Sequence, residues 1–289
     1  MYPNNLARRL VMLSVVAAAT STALHAVAET SPPSKLQPVR IILTGDSTVA
    51  RKSGYGEGFC ARWRPEVTCI NVARGGRSTK SYRVEGIWDK DVMSLLKEAN
   101  APDGTAYAKT YVLMQFGHND GSPKPERHAD VLWEYPANLA KYANDVKAAG
   151  ATFVLVTPLT MRNFYKGTLL PDRVAPYAAS MHNVAIKNEI PLLDLFAESQ
   201  KAVQEMGLAK ANHMLAGGPI PKKILDTEAS GTSVPFEKTS DASQEGGKQR
   251  FDETHINQEA GATFFGTMVA DLLVKSQPDL AKYRSEKNK

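Results

Sequence analysis

At 289 residues, with 43% hydrophobic and 22% charged side chains, the chain has the make-up of a globular protein long enough to bury a substantial core. Its formal charge of +5 is too mild, and its basic residues too scattered, for a nucleic-acid-binding protein. The two cysteines, Cys60 and Cys69, lack the C-x-x-C spacing of zinc and dithiol redox sites, and no metal is expected.

Residues 1–28 read as an export signal. Arg8 and Arg9 give a positive start, residues 10–19 an apolar middle, and Ala26-Val27-Ala28 a small-residue cleavage site. Thr20, Ser21 and Thr22 interrupt the apolar run, so neither a spanning helix nor a membrane anchor is expected. The mature chain is expected to begin near Glu29, in the periplasm or the medium. In an oxidising compartment Cys60 and Cys69 can pair, two buried thiols being the alternative. Residues 29–38, with three prolines, form an extended leader.

Five apolar runs rich in β-branched residues follow in order, at 39–44, 68–72, 110–116, 151–156 and 190–195. A short helical piece reaches Trp63 after the first. Helical spacing then marks 87–99, 135–149, 175–188, 197–208 and 258–275. In the second of these helices Leu139, Tyr142 and Val146 share a face and Gly150 ends it. Residues 216–250 show no periodicity and read as a loop insertion, either a lid, a binding loop or disordered. Residues 277–289 read as a charged tail that frays. Strands alternating with helices predict one α/β domain over 39–276, a three-layer α/β/α, flavodoxin-like fold around a five-stranded parallel sheet.

The chemistry lies where these strands stop. Ser47 follows the first strand, Gly76 the second and Asn119 the third, and in a parallel sheet those ends share one edge. A hydroxyl, a glycine amide and a carboxamide are the parts of an acyl-transfer site. Ser47 would be the nucleophile, with its own amide, the Gly76 amide and the Asn119 side chain around the oxyanion. Serine needs a base. Asp252 and His255, three apart before the last helix, can present both side chains on one side of a turn. Alone, that pair reads more readily as a surface turn than as a dyad; its place after the last crossover, beside three converging strand ends, makes it the preferred base.

Taken together, Gly45-Asp46-Ser47-Thr48, Gly76-Arg77-Ser78-Thr79, Gly117-His118-Asn119-Asp120-Gly121 and Asp252-x-x-His255 resemble, in order, the four blocks of the SGNH (GDSL-like) hydrolases. Within them the match is to carbohydrate esterases of the rhamnogalacturonan acetylesterase type, over roughly residues 39–275. The resemblance implies a flavodoxin-like fold, a serine mechanism without metal or cofactor, and deacetylation of a pectic polysaccharide. Position by position it makes Ser47, Asp252 and His255 the triad, and Ser47, Gly76 and Asn119 the oxyanion hole. The 216–250 insertion departs from the compact form of this family. Val49 stands where the Gly-x-Ser-x-Gly elbow of the α/β-hydrolases would have its second glycine, so that fold's signature is absent.

Other residues carry weaker signals. His118 either braces Asn119 or meets substrate, with bracing preferred. Asp46 and Asp120 are expected to hold their own turns. Arg77, Lys80 and Arg83 can attract uronate groups or merely start a helix. Trp88 and Trp133 can stack on sugar rings or pack. Arg162, beyond the fourth strand, reaches the same edge. The expected partner is an acetylated polysaccharide or oligosaccharide. A lipase or thioesterase of the same superfamily, and a non-catalytic carbohydrate-binding protein of this fold, are the competing readings.

Overall fold

A computed structural model describes residues 36–99, 107–165, 167–214 and 252–285. The signal and most of the leader, the 216–250 insertion and the last residues of the tail lie outside the described residues. Five strands form one parallel sheet: β1 (Val39–Gly45), β2 (Val67–Asn71), β3 (Lys109–Gln115), β4 (Thr152–Val156) and a final pair numbered β7 (Leu192–Leu193). Their spatial order is β2-β1-β3-β4-β7, the flavodoxin-like order expected from the alternation. β1 lies between β2 and β3, with Val39 opposite both Val67 and Lys109, and Gly45 opposite Gln115.

Successive side chains of a strand point to opposite faces, so a sheet covered on both sides needs continuous apolar runs. Ile41 and Leu43, with Tyr111, Leu113, Val154 and Val156, enter one core. That core is closed by α1 (Gly56–Cys60), α6 (Leu195–Asn212) and α7 (Gly261–Ser276). Ile42, Val112, Met114 and Leu155 enter the other. There they meet α2 (Ser81–Val84), a π-helical turn at Trp88–Met93, α3 (Ser94–Ala99), α4 (Glu134–Ala148) and α5 (Ala175–Lys187). Leu139, Tyr142 and Val146 are fully buried, as their spacing predicts. Each such side chain contributes about 1.5–3 kcal/mol relative to exposure.

Three expectations need correcting. The fifth strand is only two residues long, because Pro191 lacks an N–H for the ladder and Leu195 already begins α6. A two-residue ribbon, β5 (Phe164–Tyr165) with β6 (Thr168–Leu169), stands where no strand was predicted. The segment after Gln277 does not fray at once: Pro278–Tyr283 is a 3₁₀ helix, with Leu280 and Tyr283 buried. Its charged residues face outward while two apolar ones complete the core. Cys60 and Cys69 are joined by a disulfide, with 5.5 Å between their Cα atoms, tying the end of α1 to the middle of β2.

Candidate active site

β1 ends because Gly45 has φ +157°, and a Cβ there would run into the Gln115 carbonyl oxygen. Only glycine lets β1 stay this close to β3 while the chain turns outward. Asp46 then holds the turn. Its Oδ1 accepts the Thr48 N–H at 2.9 Å and the Thr48 hydroxyl at 2.7 Å, while its carbonyl accepts the amides of Val49 and Ala50. Gln115 on β3 donates to the Thr48 hydroxyl oxygen. Asp46 is fully buried. Burial pushes its carboxyl up, but His118 and the Thr48 donors outweigh this and hold it below the usual carboxylate range. Asp46 is thus a turn-holding group, as expected.

The turn presents Ser47 to the segment that precedes α7. Ile256 donates its amide to the Ser53 carbonyl at 3.0 Å, and Gln258 donates its side chain to the Gly54 carbonyl at 3.1 Å. These two bonds stitch the Asp252–His255 turn to the loop that follows Ser47. The Asp252 Oδ1 caps the turn itself, accepting the amides of Thr254 (2.9 Å) and His255 (3.0 Å). Its Oδ2 lies 2.7 Å from His255 Nδ1. A carboxylate can only accept, so Nδ1 carries the proton and Nε2 is left as an acceptor. That acceptor lies 2.7 Å from Ser47 Oγ. Residues 208 positions apart therefore meet in one hydrogen-bonded relay.

The electrostatics of the relay suit a base. The bond to Asp252 is the main influence on His255 and raises its pKa above the usual imidazole value, against burial and the positive charge of Arg162. Burial alone would raise Asp252, but its bonds from His255 and Thr254 hold it well below the carboxylate range. Asp252 therefore stays ionised and can stabilise an imidazolium.

The Gly75–Gly76 turn lies next to Ser47. Gly76 has φ +74°, and a Cβ added to its neighbour Gly75 would sit 3.6 Å from the Ser47 Cβ. The main-chain N–H groups of Ser47 and Gly76 have no acceptor among the described residues. Asn119 gives one N–H of its carboxamide to the Arg77 carbonyl at 3.0 Å, leaving the second. Asp120 clamps the two loops together by accepting the Thr79 amide (2.9 Å) and hydroxyl (2.6 Å). Its burial pushes its pKa up to about 7 despite those bonds. Free N–H groups converging beside a hydroxyl are what an oxyanion hole requires.

Some expectations shift. His118 is almost fully buried, with Nδ1 3.5 Å from Asp46 Oδ2, so this nitrogen faces the Ser47 turn. Arg77 is not free to attract an anion, because it donates to Glu85 at 2.8 and 3.0 Å and to the Gly75 carbonyl at 2.9 Å. Lys80 lies 3.9 Å from Glu134, and Arg83 pairs with Asp145 at 2.8 Å. Trp88 is a core residue and Trp133 is exposed.

Arg162 matters more than its sequence position suggested. Its side chain is fully buried; its backbone N–H donates to Glu253 O at 2.9 Å and its Nη2 to His255 O at 2.8 Å. Burial lowers its pKa to about 10, against the pull of Asp252, Glu253 and Asp172. The guanidinium thus clamps the turn that carries the base. Arg162→Met should cost about 1–3 kcal/mol of stability by orphaning a buried carbonyl. It should also move the acid limb of the kcat/KM profile to higher pH, since a cation that disfavours the imidazolium is gone. Chemical denaturation and a pH–rate series read the two effects separately.

Two clefts are lined by residues of these loops. One, of about 600 Å³, opens beside His255 and is lined by Asn163, Asp172, Arg173, Glu253 and Thr254 among others. The other, of about 740 Å³, includes Ser53, Arg74, Gly75 and Lys90.

Comparison with known proteins agrees with this geometry. Over 177 residues the chain is 29% identical to a probable rhamnogalacturonan acetylesterase, YesY, of Bacillus subtilis, covering 59% of this chain and 76% of that one. Over 178 residues it is 27% identical to the rhamnogalacturonan acetylesterase RhgT of the same organism, covering 59% and 71%. Among solved structures, the Bacillus subtilis protein YXIM shares the fold with a TM-score of 0.56 at 22% identity, over 84% of this chain; the chain spans 58% of that protein. The model of the GDSL-like lipase/acylhydrolase family matches residues 41–265, a span that runs from β1 into α7 and takes in both halves of the relay. The chain therefore belongs to the GDSL-like lipase/acylhydrolase family and is a carboxylic ester hydrolase.

Proposed function

We propose that this protein is an exported serine esterase that removes acetyl groups from an acetylated pectic polysaccharide, rhamnogalacturonan or a related pectin. The observation that carries the proposal is the Ser47–His255–Asp252 relay, with both links at 2.7 Å, beside unpaired N–H donors. Ser47 Oγ attacks the acetyl carbonyl carbon while His255 Nε2 takes its proton. The negative oxygen is met by the amides of Ser47 and Gly76 and the Asn119 carboxamide, each such donor typically worth about 10²–10³ in rate. His255 returns the proton to the departing sugar oxygen, leaving an acetyl-serine. Water then attacks that ester, His255 takes and returns a second proton, and acetate leaves.

The substrate class is supported by the names of the two Bacillus relatives. It also suits the cleft beside His255, about 600 Å³ in volume, which has room for sugar units. The cleft beside His255 is lined mainly by polar side chains, which suits sugar hydroxyls better than a long acyl chain. The expected result is acetate release from acetylated rhamnogalacturonan at a higher kcat/KM than from acetylated xylan, with aryl acetate preferred over aryl octanoate. Preference for the octanoate would point to a lipase. A Ser47 that a fluorophosphonate does not label would point to a non-catalytic carbohydrate-binding protein.

A further inference from the structure

Of the cations around the sheet edge, those that border the Gly76 turn in sequence are already neutralised. Arg74 pairs with Asp91 at 2.8 Å, Arg77 with Glu85 at 2.8 Å, Lys80 with Glu134 at 3.9 Å and Arg83 with Asp145 at 2.8 Å. Arg127 differs. It comes from the segment after Asn119, and its guanidinium lies flat against Gly76: a Cβ there would sit 3.5 Å from both Nη1 and Nη2 and 3.6 Å from Cζ. It is half-buried and meets no carboxylate among the described residues. The segment that carries it is closed on itself. Ala129 donates to the Asp120 carbonyl at 3.0 Å, and the amides of Arg127 and His128 both donate to Lys124 O at 2.9 Å. The cation is thus held by a hydrogen-bonded backbone segment but has no counter-ion among the described residues, next to one of the oxyanion donors.

We propose that Arg127 binds a carboxylate of the substrate, so that the site prefers an acidic, uronate-bearing saccharide to a neutral one; this rests on the deacetylase reading above. A guanidinium fork matches a carboxylate with two parallel N–H bonds, and such charge-assisted pairs are stronger and more directional than neutral ones. The placement fits the chemistry. In a uronic acid the carboxyl group and the ring hydroxyls that carry acetyl lie on one sugar ring, and the Arg127 guanidinium lies against Gly76, whose amide is one of the donors. A brace for the Gly76 turn would not need a charge, and Arg77 already braces that turn through the Gly75 carbonyl.

The test is competitive inhibition of aryl acetate hydrolysis by unacetylated trigalacturonate and by the neutral galactotriose, in the wild type, Arg127→Gln and Arg127→Lys. The wild type should bind the acidic trisaccharide more tightly, and added salt should erode that preference and not the binding of the neutral one. In Arg127→Gln the ratio of the two inhibition constants should fall by at least about tenfold, the worth of one charge-assisted contact. Arg127→Lys, which keeps the charge without the fork, should retain part of it. No preference in the wild type, or the same ratio in Arg127→Gln, overturns the proposal. Equal losses on both ligands also overturn it, since they mean that Arg127 only supports the turn. Acetate release by the wild type from acetylated rhamnogalacturonan is measured alongside. Its absence, with the inhibition ratio still dependent on Arg127, would defeat the deacetylase reading while leaving the anion site standing.

Discussion

Ser47→Ala and His255→Ala are each expected to lower kcat on an aryl acetate by about 10⁶-fold, and the double variant by little more than either alone. The reason is that nucleophile and base act as one unit. Without the imidazole, the Ser47 hydroxyl has nowhere to send its proton; without the hydroxyl, the imidazole has nothing to activate. The 2.7 Å contact between Nε2 and Oγ is the physical basis for this non-additivity. Residual turnover should remain above the uncatalysed rate by about 10³–10⁴, because the amides of Ser47 and Gly76 and the Asn119 carboxamide survive both changes. Neither variant should unfold the protein, since both side chains lie at the sheet edge and outside the two cores. Steady-state kinetics beside far-UV circular dichroism checks this. Near-native turnover in either folded variant would remove the serine mechanism.

Asp252→Asn is expected to cost about 10⁴-fold in kcat, more than loss of a charge at the site would by itself suggest. Asp252 does two things at once. Its Oδ1 caps the turn through the amides of Thr254 and His255, and its Oδ2 accepts from His255 Nδ1. An amide can keep the first role through its carbonyl oxygen but then turns its NH₂ toward the ring. That favours the proton on Nε2, where it blocks the Ser47 hydroxyl. The pH profile should move as well. The bond to Asp252 is the chief reason that the pKa of His255 is raised. Only neutral His255 can accept a proton, so activity falls as pH drops through that pKa. Removing the carboxylate lowers the pKa, and the acid limb should shift to lower pH. Arg162→Met should shift it the other way. The groups facing His255 are Asp252, Asp46, Arg162 and the Ser47 hydroxyl. If both variants left the limb in place, a group other than His255 would be setting it.

Much of this architecture is legible in the chain. The runs at 39–44, 110–116 and 151–156 are predominantly apolar because both faces of their strands are covered, and such runs are read easily. Leu139, Tyr142 and Val146 mark one face of α4 for the same reason. What was misread is short or compensated. β7 has only two residues beside a proline, and the 3₁₀ turn at Pro278–Tyr283 hides two core side chains among charged ones. Neither has enough residues for a period to show. The π-helical turn at Trp88–Met93 preserves the apolar side expected of a helix, so its different winding left no trace in the pattern.

The site divides along a similar line. By itself, the sequence determined which residue types stand at the ends of three strands and that an Asp-x-x-His pair precedes the last helix. Parallel topology then forces Ser47, Gly76 and Asn119 to one edge, because every strand of such a sheet ends on the same side. Only the tertiary structure decided which charges are free. Arg77, prominent in its motif, is tied to Glu85 and the Gly75 carbonyl, and His118 is turned inward to Asp46. Arg162 and Arg127, neither in any motif, reach the catalytic turn and the Gly76 loop respectively. A cation's role depends on which acceptors surround it in space. The acceptor of Arg162 comes from a turn 93 residues away, so no local pattern in the chain records it.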